Sequence, residues 1–179
     1  MFLKKSFLLC TLSVLTLILS CKKSNQPDQL PEVSTEGKNT FGCVIDGKVF
    51  VPKVRFNIAL SLSAYYAGVP IPELSITAPR NESERSWITL YFQSQGILLS
   101  EGVTYRLGSP GTTGVVYAKY VHTADLERMS YDSSSELNGQ LHILKLTSKI
   151  ISGTFTYDAI SPEGKKVEVR NGRFDLSLN

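Results

Sequence analysis

The chain has 179 residues, 42% of them hydrophobic, and carries a formal net charge of +3. Two of its basic residues, Lys4 and Lys5, belong to a leader segment, and without them 17 Lys and Arg stand against 16 Asp and Glu. Because a nearly neutral chain offers no electrostatic footprint for nucleic acid, we predict no nucleic-acid partner.

Residues 1–20 have the pattern of a lipoprotein signal peptide. A charged n-region precedes an uncharged apolar stretch, residues 7–19, and Ile18-Leu19-Ser20-Cys21 resembles a bacterial lipobox. The apolar stretch is shorter than the roughly 20 residues that a transmembrane helix needs. We therefore expect cleavage before Cys21 and anchoring in the membrane by acyl chains, palmitate among them, on the Cys21 sulfur and the new amino terminus.

The remaining chain divides into a tether and one domain. Residues 21–40 are polar, contain two prolines and lack aromatic residues, which predicts a flexible tether. Residues 41–179 are enough for a single domain of ordinary size. Cys43 is its one cysteine, so no intramolecular disulfide is expected, and its apolar neighbours predict a buried thiol.

The residues after the lipidated cysteine also predict a location. Lys22, rather than an aspartate, follows Cys21, which is compatible with sorting to the outer membrane. No acidic cluster of the kind associated with surface display follows it. We therefore expect the periplasmic face of the outer membrane in preference to the cell surface.

From Phe41 onward, short apolar or alternating runs are separated by turn signals. Asp46-Gly47 between two apolar runs is typical of a type I′ hairpin turn. Further strands are predicted over residues 55–63, 74–78, 86–92, 102–107, 114–122, 140–147, 150–159, 165–170 and 173–178. A short helix is the alternative over 55–63. Loops or turns are predicted at 65–72, 79–85 and 123–138. Asn171-Gly172 is predicted to be the last hairpin turn of a C-terminal meander.

These elements predict an all-β fold. No long stretch has helical periodicity, and short strands recur between frequent turns. The pattern favours an antiparallel β-sandwich or a partly open barrel of about 8–10 strands with a C-terminal meander.

Several motifs together are similar to those of a known family. They are the lipobox, Phe-x-x-x-Ile-Asp-Gly-Lys-x-Phe at 41–50, Gly-x-Thr-Tyr-x-Leu at 102–107, Ile-Ser-Gly-Thr-Phe-Thr-Tyr at 151–157 and Asn-Gly-Arg-Phe at 171–174. The combination resembles a family of small bacteroidete-type lipoproteins, known mainly as a domain of unknown function. The resemblance implies a β-sandwich-like fold and an envelope location, and it carries no catalytic residue across.

Residues suited to catalysis or metal binding are sparse. The two histidines, His122 and His142, have no spacing that would bring together three metal ligands or a base and its nucleophile. No Gly-x-Ser-x-Gly nucleophile elbow is present. We predict no catalytic residue, metal or cofactor, and hence a protein that is not an enzyme. A small envelope hydrolase or accessory enzyme is the alternative.

Aromatic residues form the predicted binding surface. Alternation along 86–92 directs Trp87 and Tyr91 away from the core, and Tyr65 and Tyr66 lie in a predicted loop. Such rings can stack on sugars or fill a partner's pocket, unless another layer of the protein covers them. The sequence therefore predicts a membrane-anchored, non-catalytic binding module for a glycan or an envelope protein.

Overall fold

The computed structural model describes residues 28–53 and 61–178. Within these ranges the chain forms eleven strands and no helix, so none of the described segments is a helix able to cross a membrane. The predicted signal peptide, Cys21 and most of the strand predicted at 55–63 lie outside the described residues.

The strands confirm the prediction of an all-β fold. In chain order they are β1 (Thr40–Ile45), β2 (Lys48–Phe50), β3 (Ser63–Ala67), β4 (Glu73–Ser83), β5 (Ser86–Gln95), β6 (Thr104–Arg106), β7 (Val116–Ala124), β8 (Glu127–Asp132), β9 (Gly139–Leu146), β10 (Ile150–Ile160) and β11 (Lys166–Ser177). Their number is slightly higher than predicted.

The strands form one large antiparallel sheet that does not close into a barrel. The main order is β2-β1-β11-β10-β8-β7-β5-β4-β3, and β9 pairs with both β10 and β6. Strands β10 and β8 pair only through Ile160 and Asp132, at the corner where the sheet folds over. One layer therefore contains β2, β1, β11, β10, β9 and β6, and the other contains β8, β7, β5, β4 and β3, as in a sandwich.

Aromatic rings join the two layers. Phe92 on β5 lies 4.7 Å, between ring centroids, from Phe155 on β10, and 5.7 Å from Tyr157. Since β5 and β10 are not neighbours in the sheet, these contacts place the core between the layers. Cys43 belongs to this core, as predicted, and burial raises the pKa of its thiol far above the usual value.

The predicted hairpin turn at Asp46-Gly47 is confirmed. It joins β1 to β2, and the φ angles of the two residues are 45° and 80°. Positive φ at both central positions is what a type I′ turn requires.

Two predicted loops are wrong. The loop predicted at 65–72 begins only after Ala67, because Tyr65 and Tyr66 lie within β3. The irregular region predicted at 123–138 contains all of β8, a largely polar strand in which Tyr131 is the one buried residue. In both cases pairing with a neighbouring strand, β4 or β7, outweighs the local turn signals.

The turn predicted at 79–85 is much shorter in the structure. Strand β4 continues through Pro79 to Ser83, and only Glu84 and Arg85 separate it from β5. Among the described residues, the pairing of β3 with β4 ends at Thr77, and Pro79 is paired only with Thr89 of β5.

Asn171-Gly172 is not a hairpin turn. Strand β11 runs unbroken from Lys166 to Ser177, and the chain reverses between β10 and β11 at residues 161–165. Asn171 has a φ of 52°, at a bulge in the β10–β11 pairing. Gly172 is required for packing, since it lies directly opposite Phe155.

The described part of the predicted tether, residues 28–40, lies against the domain. Asp28 forms ion pairs with Lys53 and Arg80. Asp175 accepts hydrogen bonds from three successive backbone N–H groups of this segment. The described residues upstream of the predicted boundary, from Asp28 onward, thus include several that contact the domain. Composition does not predict these contacts because the partners are far away in the sequence.

Candidate functional site

The outer surface of the β3–β8 layer carries an aromatic face, defined by Tyr65, Trp87, Tyr91 and Tyr117. Residues paired across antiparallel strands point to the same side of a sheet. One such row runs Tyr65–Ser75–Gln93–Tyr117 across β3, β4, β5 and β7. Trp87 and Tyr91 lie on the same side as Gln93, because alternate residues of β5 share a side. Thr89, which lies between them on that side, is buried, so Trp87 is set apart from the other three rings.

The aromatic face contains three of the four aromatic residues predicted to bind. Tyr65 is 46% exposed, and Trp87 and Tyr91 are half-buried, on the opposite side of β5 from the fully buried Leu90 and Phe92. The side chains of Trp87 and Tyr91 therefore point outward, as the alternation predicts.

Tyr66 does not join the aromatic face. It packs against the core, and its hydroxyl oxygen accepts a hydrogen bond of 2.9 Å from the backbone N–H of Leu99. Tyr117 is a member that sequence reasoning missed. The alternation of β7, with Val116 and Ala118 fully buried on either side of it, is the signal that identifies it.

Polar groups lie between the rings of the aromatic face. The Tyr117 hydroxyl donates a hydrogen bond of 3.1 Å to Gln93 Oε1. Burial, and the negative charges of Asp132 and Glu73, raise the pKa of Tyr117, so its hydroxyl stays protonated and able to donate. The aromatic face thus combines flat apolar rings with oriented hydrogen-bonding groups.

A cationic groove crosses the outer surface of the other layer. It consists of two adjoining hollows of about 620 and 400 Å³, which share Gln140, Thr156 and Arg170. The remaining side chains used below to define this groove are Thr104, Arg106, His142, Thr154 and Arg173.

Strand register explains why these residues meet. One row runs Thr104–His142–Thr154–Arg173 across β6, β9, β10 and β11, and a second runs Arg106–Gln140–Thr156. Both rows are on the outer side of the layer. The groove is therefore a property of four paired strands that are distant in sequence.

Arg170 contributes little free charge to the cationic groove. Its Nη2 lies 2.6 Å from Asp158 Oδ1 and 3.3 Å from Glu168 Oε2. Burial raises the pKa of Asp158, but hydrogen bonds from Lys166 and Arg170 lower it by more, so this carboxyl stays ionised. Arg170 is thus neutralised within the domain.

Arg106 and Arg173, unlike Arg170, keep their positive charge. Arg106 Nη2 donates to the Ser135 carbonyl at 2.8 Å, and Arg173 donates through Nε and Nη2 to the Asn171 carbonyl, at 3.2 Å each. Among the described residues neither has a carboxylate partner. Carbonyl oxygens orient a guanidinium without cancelling its charge. Two oriented positive charges therefore stand at the two ends of a groove lined by hydroxyl and amide groups.

The two histidines each contact a hydroxyl. His122 Nε2 lies 3.1 Å from Ser86 Oγ, and His142 Nδ1 lies 2.9 Å from Thr104 Oγ1. A base that activates a nucleophile is itself oriented by a third group. Within the described ranges no carboxylate bonds to His122, and no three His, Cys, Asp or Glu side chains are grouped to hold a metal ion.

Comparisons with protein-family models, with curated proteins and with solved structures give no match for this chain. The class that the structure itself defines is an all-β, sandwich-like domain with an aromatic face on one layer and a cationic groove on the other.

Proposed function

We propose that this protein is a lipid-anchored, non-catalytic binding module of the outer membrane, which holds an acidic oligosaccharide in its cationic groove. The lipobox at Cys21 supports the anchor. The observation that carries the binding function is the pair Arg106 and Arg173, whose charges no carboxylate of the described residues neutralises.

The cationic groove suits a sugar chain in both length and chemistry. From β6 to β11 it crosses three strand spacings, about 14 Å, which accommodates a short oligosaccharide. Its middle strands, β9 and β10, offer Gln140, Thr154 and Thr156, whose amide and hydroxyl groups suit sugar hydroxyls. The arginines at its ends match carboxylate or sulfate groups, which bind a guanidinium through two parallel hydrogen bonds.

Arg106→Gln and Arg173→Gln are expected to weaken the binding of acidic oligosaccharides by about tenfold each, because each removes a charge-assisted contact. Titration calorimetry of the mature protein with sulfated, carboxylated and neutral oligosaccharides measures the effect. The affinity for acidic ligands should also fall as salt is added.

Arg128→Gln is the matched control, since Arg128 is an exposed arginine on β8, in the other layer. It should leave binding unchanged. Equal affinity for neutral and acidic sugars, or full binding by the Arg106→Gln Arg173→Gln double variant, would contradict the proposed site.

The aromatic face supports a second candidate function, the binding of a neutral glycan. The half-buried Tyr117 bonds to the Gln93 amide, the half-buried Tyr91 lies on the same side of β5, and the exposed Tyr65 lies two strands away. Rings beside hydrogen-bonding groups suit the apolar and polar parts of a sugar.

For this candidate, Tyr91→Ala is expected to reduce neutral-glycan binding by tenfold or more, whereas Tyr91→Phe keeps the ring and most of the affinity. Affinity electrophoresis in gels containing neutral polysaccharide, with thermal unfolding measured in parallel, checks both variants. Retained binding by a folded Tyr91→Ala protein would exclude the aromatic face as the site.

A further inference from the structure

Leu126 has a position that folding does not explain. Its side chain is 94% exposed, the highest fraction among the large hydrophobic residues that the structure describes. It forms the β7–β8 turn with Asp125, and the two φ angles are 48° and 74°. This left-handed conformation favours glycine or asparagine, so a leucine there lies in an unfavourable backbone region and buries almost nothing.

The single tryptophan of the chain lies beside this turn. Leu126, Asp125, Trp87, Glu84 and Arg85 line a hollow of about 430 Å³ between the β4–β5 and β7–β8 turns, a region called the turn end below. The two turns are joined by a hydrogen bond of 3.0 Å from the Asp125 N–H to the Arg85 carbonyl. A protruding leucine with a half-buried tryptophan and an exposed arginine is the combination found where proteins touch the lipid headgroup region.

The amino-terminal segment approaches the domain at the same end. Asp28 pairs with Arg80, which lies four residues before the β4–β5 turn begins at Glu84. Seven residue steps separate Asp28 from Cys21, and even a fully extended chain of that length spans at most about 25 Å. A lipid on Cys21 therefore keeps this end of the domain close to the bilayer.

A second group of exposed apolar residues lies at the other end of the domain. Val69 and Ile71, in the loop before β4, and Leu98, in the loop after β5, are 83%, 57% and 63% exposed. Strand β4 separates them from Arg80 by the seven residues from Glu73, about 23 Å. Arg80, which binds Asp28, is only four residues, about 13 Å, from the β4–β5 turn, so the anchor segment joins the domain nearer to the turn end than to this group.

We infer that the turn end rests on the bilayer that holds Cys21, with the side chains of Leu126 and Trp87 among the lipid headgroups. The inference rests on the lipid anchor of the proposed function. Leu126 and Trp87 supply the apolar part of the contact. Because the turn end carries charges of both signs, the contact does not require anionic lipid.

Trp87 reports on this contact directly, since no other tryptophan contributes fluorescence. The lipidated protein is reconstituted into phosphatidylcholine vesicles whose acyl chains are brominated near the headgroup. We expect the emission of Trp87 to shift to shorter wavelength and to be quenched at least twofold relative to unbrominated vesicles. Leu126→Asp should abolish most of the quenching.

Leu98→Asp is the matched control, an equally polar change at an exposed leucine of the other end, and it should leave the quenching unchanged. Mass spectrometry and flotation of the vesicles separate the two claims. An unlipidated chain that does not float overturns the anchor, and with it the inference. A lipidated chain that floats but shows no quenching of Trp87, or equal quenching with Leu126→Asp, overturns the inference alone.

Discussion

Gly172→Ala is expected to lower the free energy of unfolding by about 3 kcal/mol, equivalent to a fall of roughly 10 °C in melting temperature. A Cβ atom at this position would lie 2.5 Å from Cζ of the Phe155 ring and still closer to Cδ2 and Cε2. The ring cannot move aside freely, because it also packs against Phe41, Phe92 and Phe174. Thermal and urea unfolding followed by circular dichroism measure the loss.

Gly68→Ala is the control for this prediction. Neither glycine has a positive φ, and a Cβ at Gly68 meets only Leu98 Cδ1, at an ordinary 3.6 Å. Alanine there should be neutral or slightly stabilising, because it restricts the unfolded chain. Phe155→Leu in the Gly172→Ala background should recover part of the lost stability, since it removes the ring that the new methyl group meets. Equal stability of the two single variants would show that the Phe155 ring yields to the methyl group at little cost.

Gly172 also shows how far local patterns reach. Asn-Gly and Asp-Gly are both strong signals for a hairpin turn, and Asp46-Gly47 does form the predicted turn. At Asn171-Gly172 the reason for the glycine is a ring 17 residues away in sequence. Turn chemistry and close packing select the same residue, so a single sequence cannot distinguish between them.

The strands that alternate clearly could be predicted, and the sites built across strands could not. Alternation along β5 correctly separates the buried Leu90 and Phe92 from the outward Trp87 and Tyr91. The cationic groove depends on the register of four strands, which places Arg106 on β6 and Arg173 on β11 at the two ends of one groove. The sequence alone does not show which strands pair. It also does not show that carboxylates neutralise Arg170 and, among the described residues, do not pair with Arg106 or Arg173.

Asp175→Asn is expected to destabilise the domain by about 3 kcal/mol at pH 7. The Asp175 side chain is almost fully buried, and its carboxylate accepts hydrogen bonds from the N–H groups of Glu36, Gly37 and Lys38, at 3.0, 2.7 and 3.1 Å. An asparagine of the same shape keeps one acceptor oxygen but turns an NH₂ group toward backbone donors. Hydrogen bonds to a charged, buried acceptor contribute more than neutral ones, and leaving their partners unpaired adds to the loss.

The same contacts make stability depend on pH. Burial raises the pKa of Asp175, but the hydrogen bonds from the N–H groups of Gly37, Lys38 and Glu36 lower it by more, so the folded-state pKa lies below the ordinary 3.8. A depressed carboxyl pKa contributes stability that is fully present above the unfolded-state value and is lost as pH falls toward the folded-state value. The difference between wild type and Asp175→Asn should therefore be constant above about pH 5 and shrink below about pH 4.

Amide hydrogen exchange identifies where the stability is lost. In wild type at pH 7, the amides of Glu36, Gly37 and Lys38 should be protected, whereas in Asp175→Asn they should exchange at least tenfold faster, because the carboxylate that holds them is gone. Asp125→Asn is the control, since its side chain is 77% exposed and its arginine partner is 3.9 Å away, so its effect should stay within about 0.5 kcal/mol. Unchanged protection in Asp175→Asn would mean that residues 36–38 are held by contacts other than this carboxylate. The segment that follows the predicted anchor would then be attached to the domain through the ion pairs of Asp28 with Lys53 and Arg80 instead.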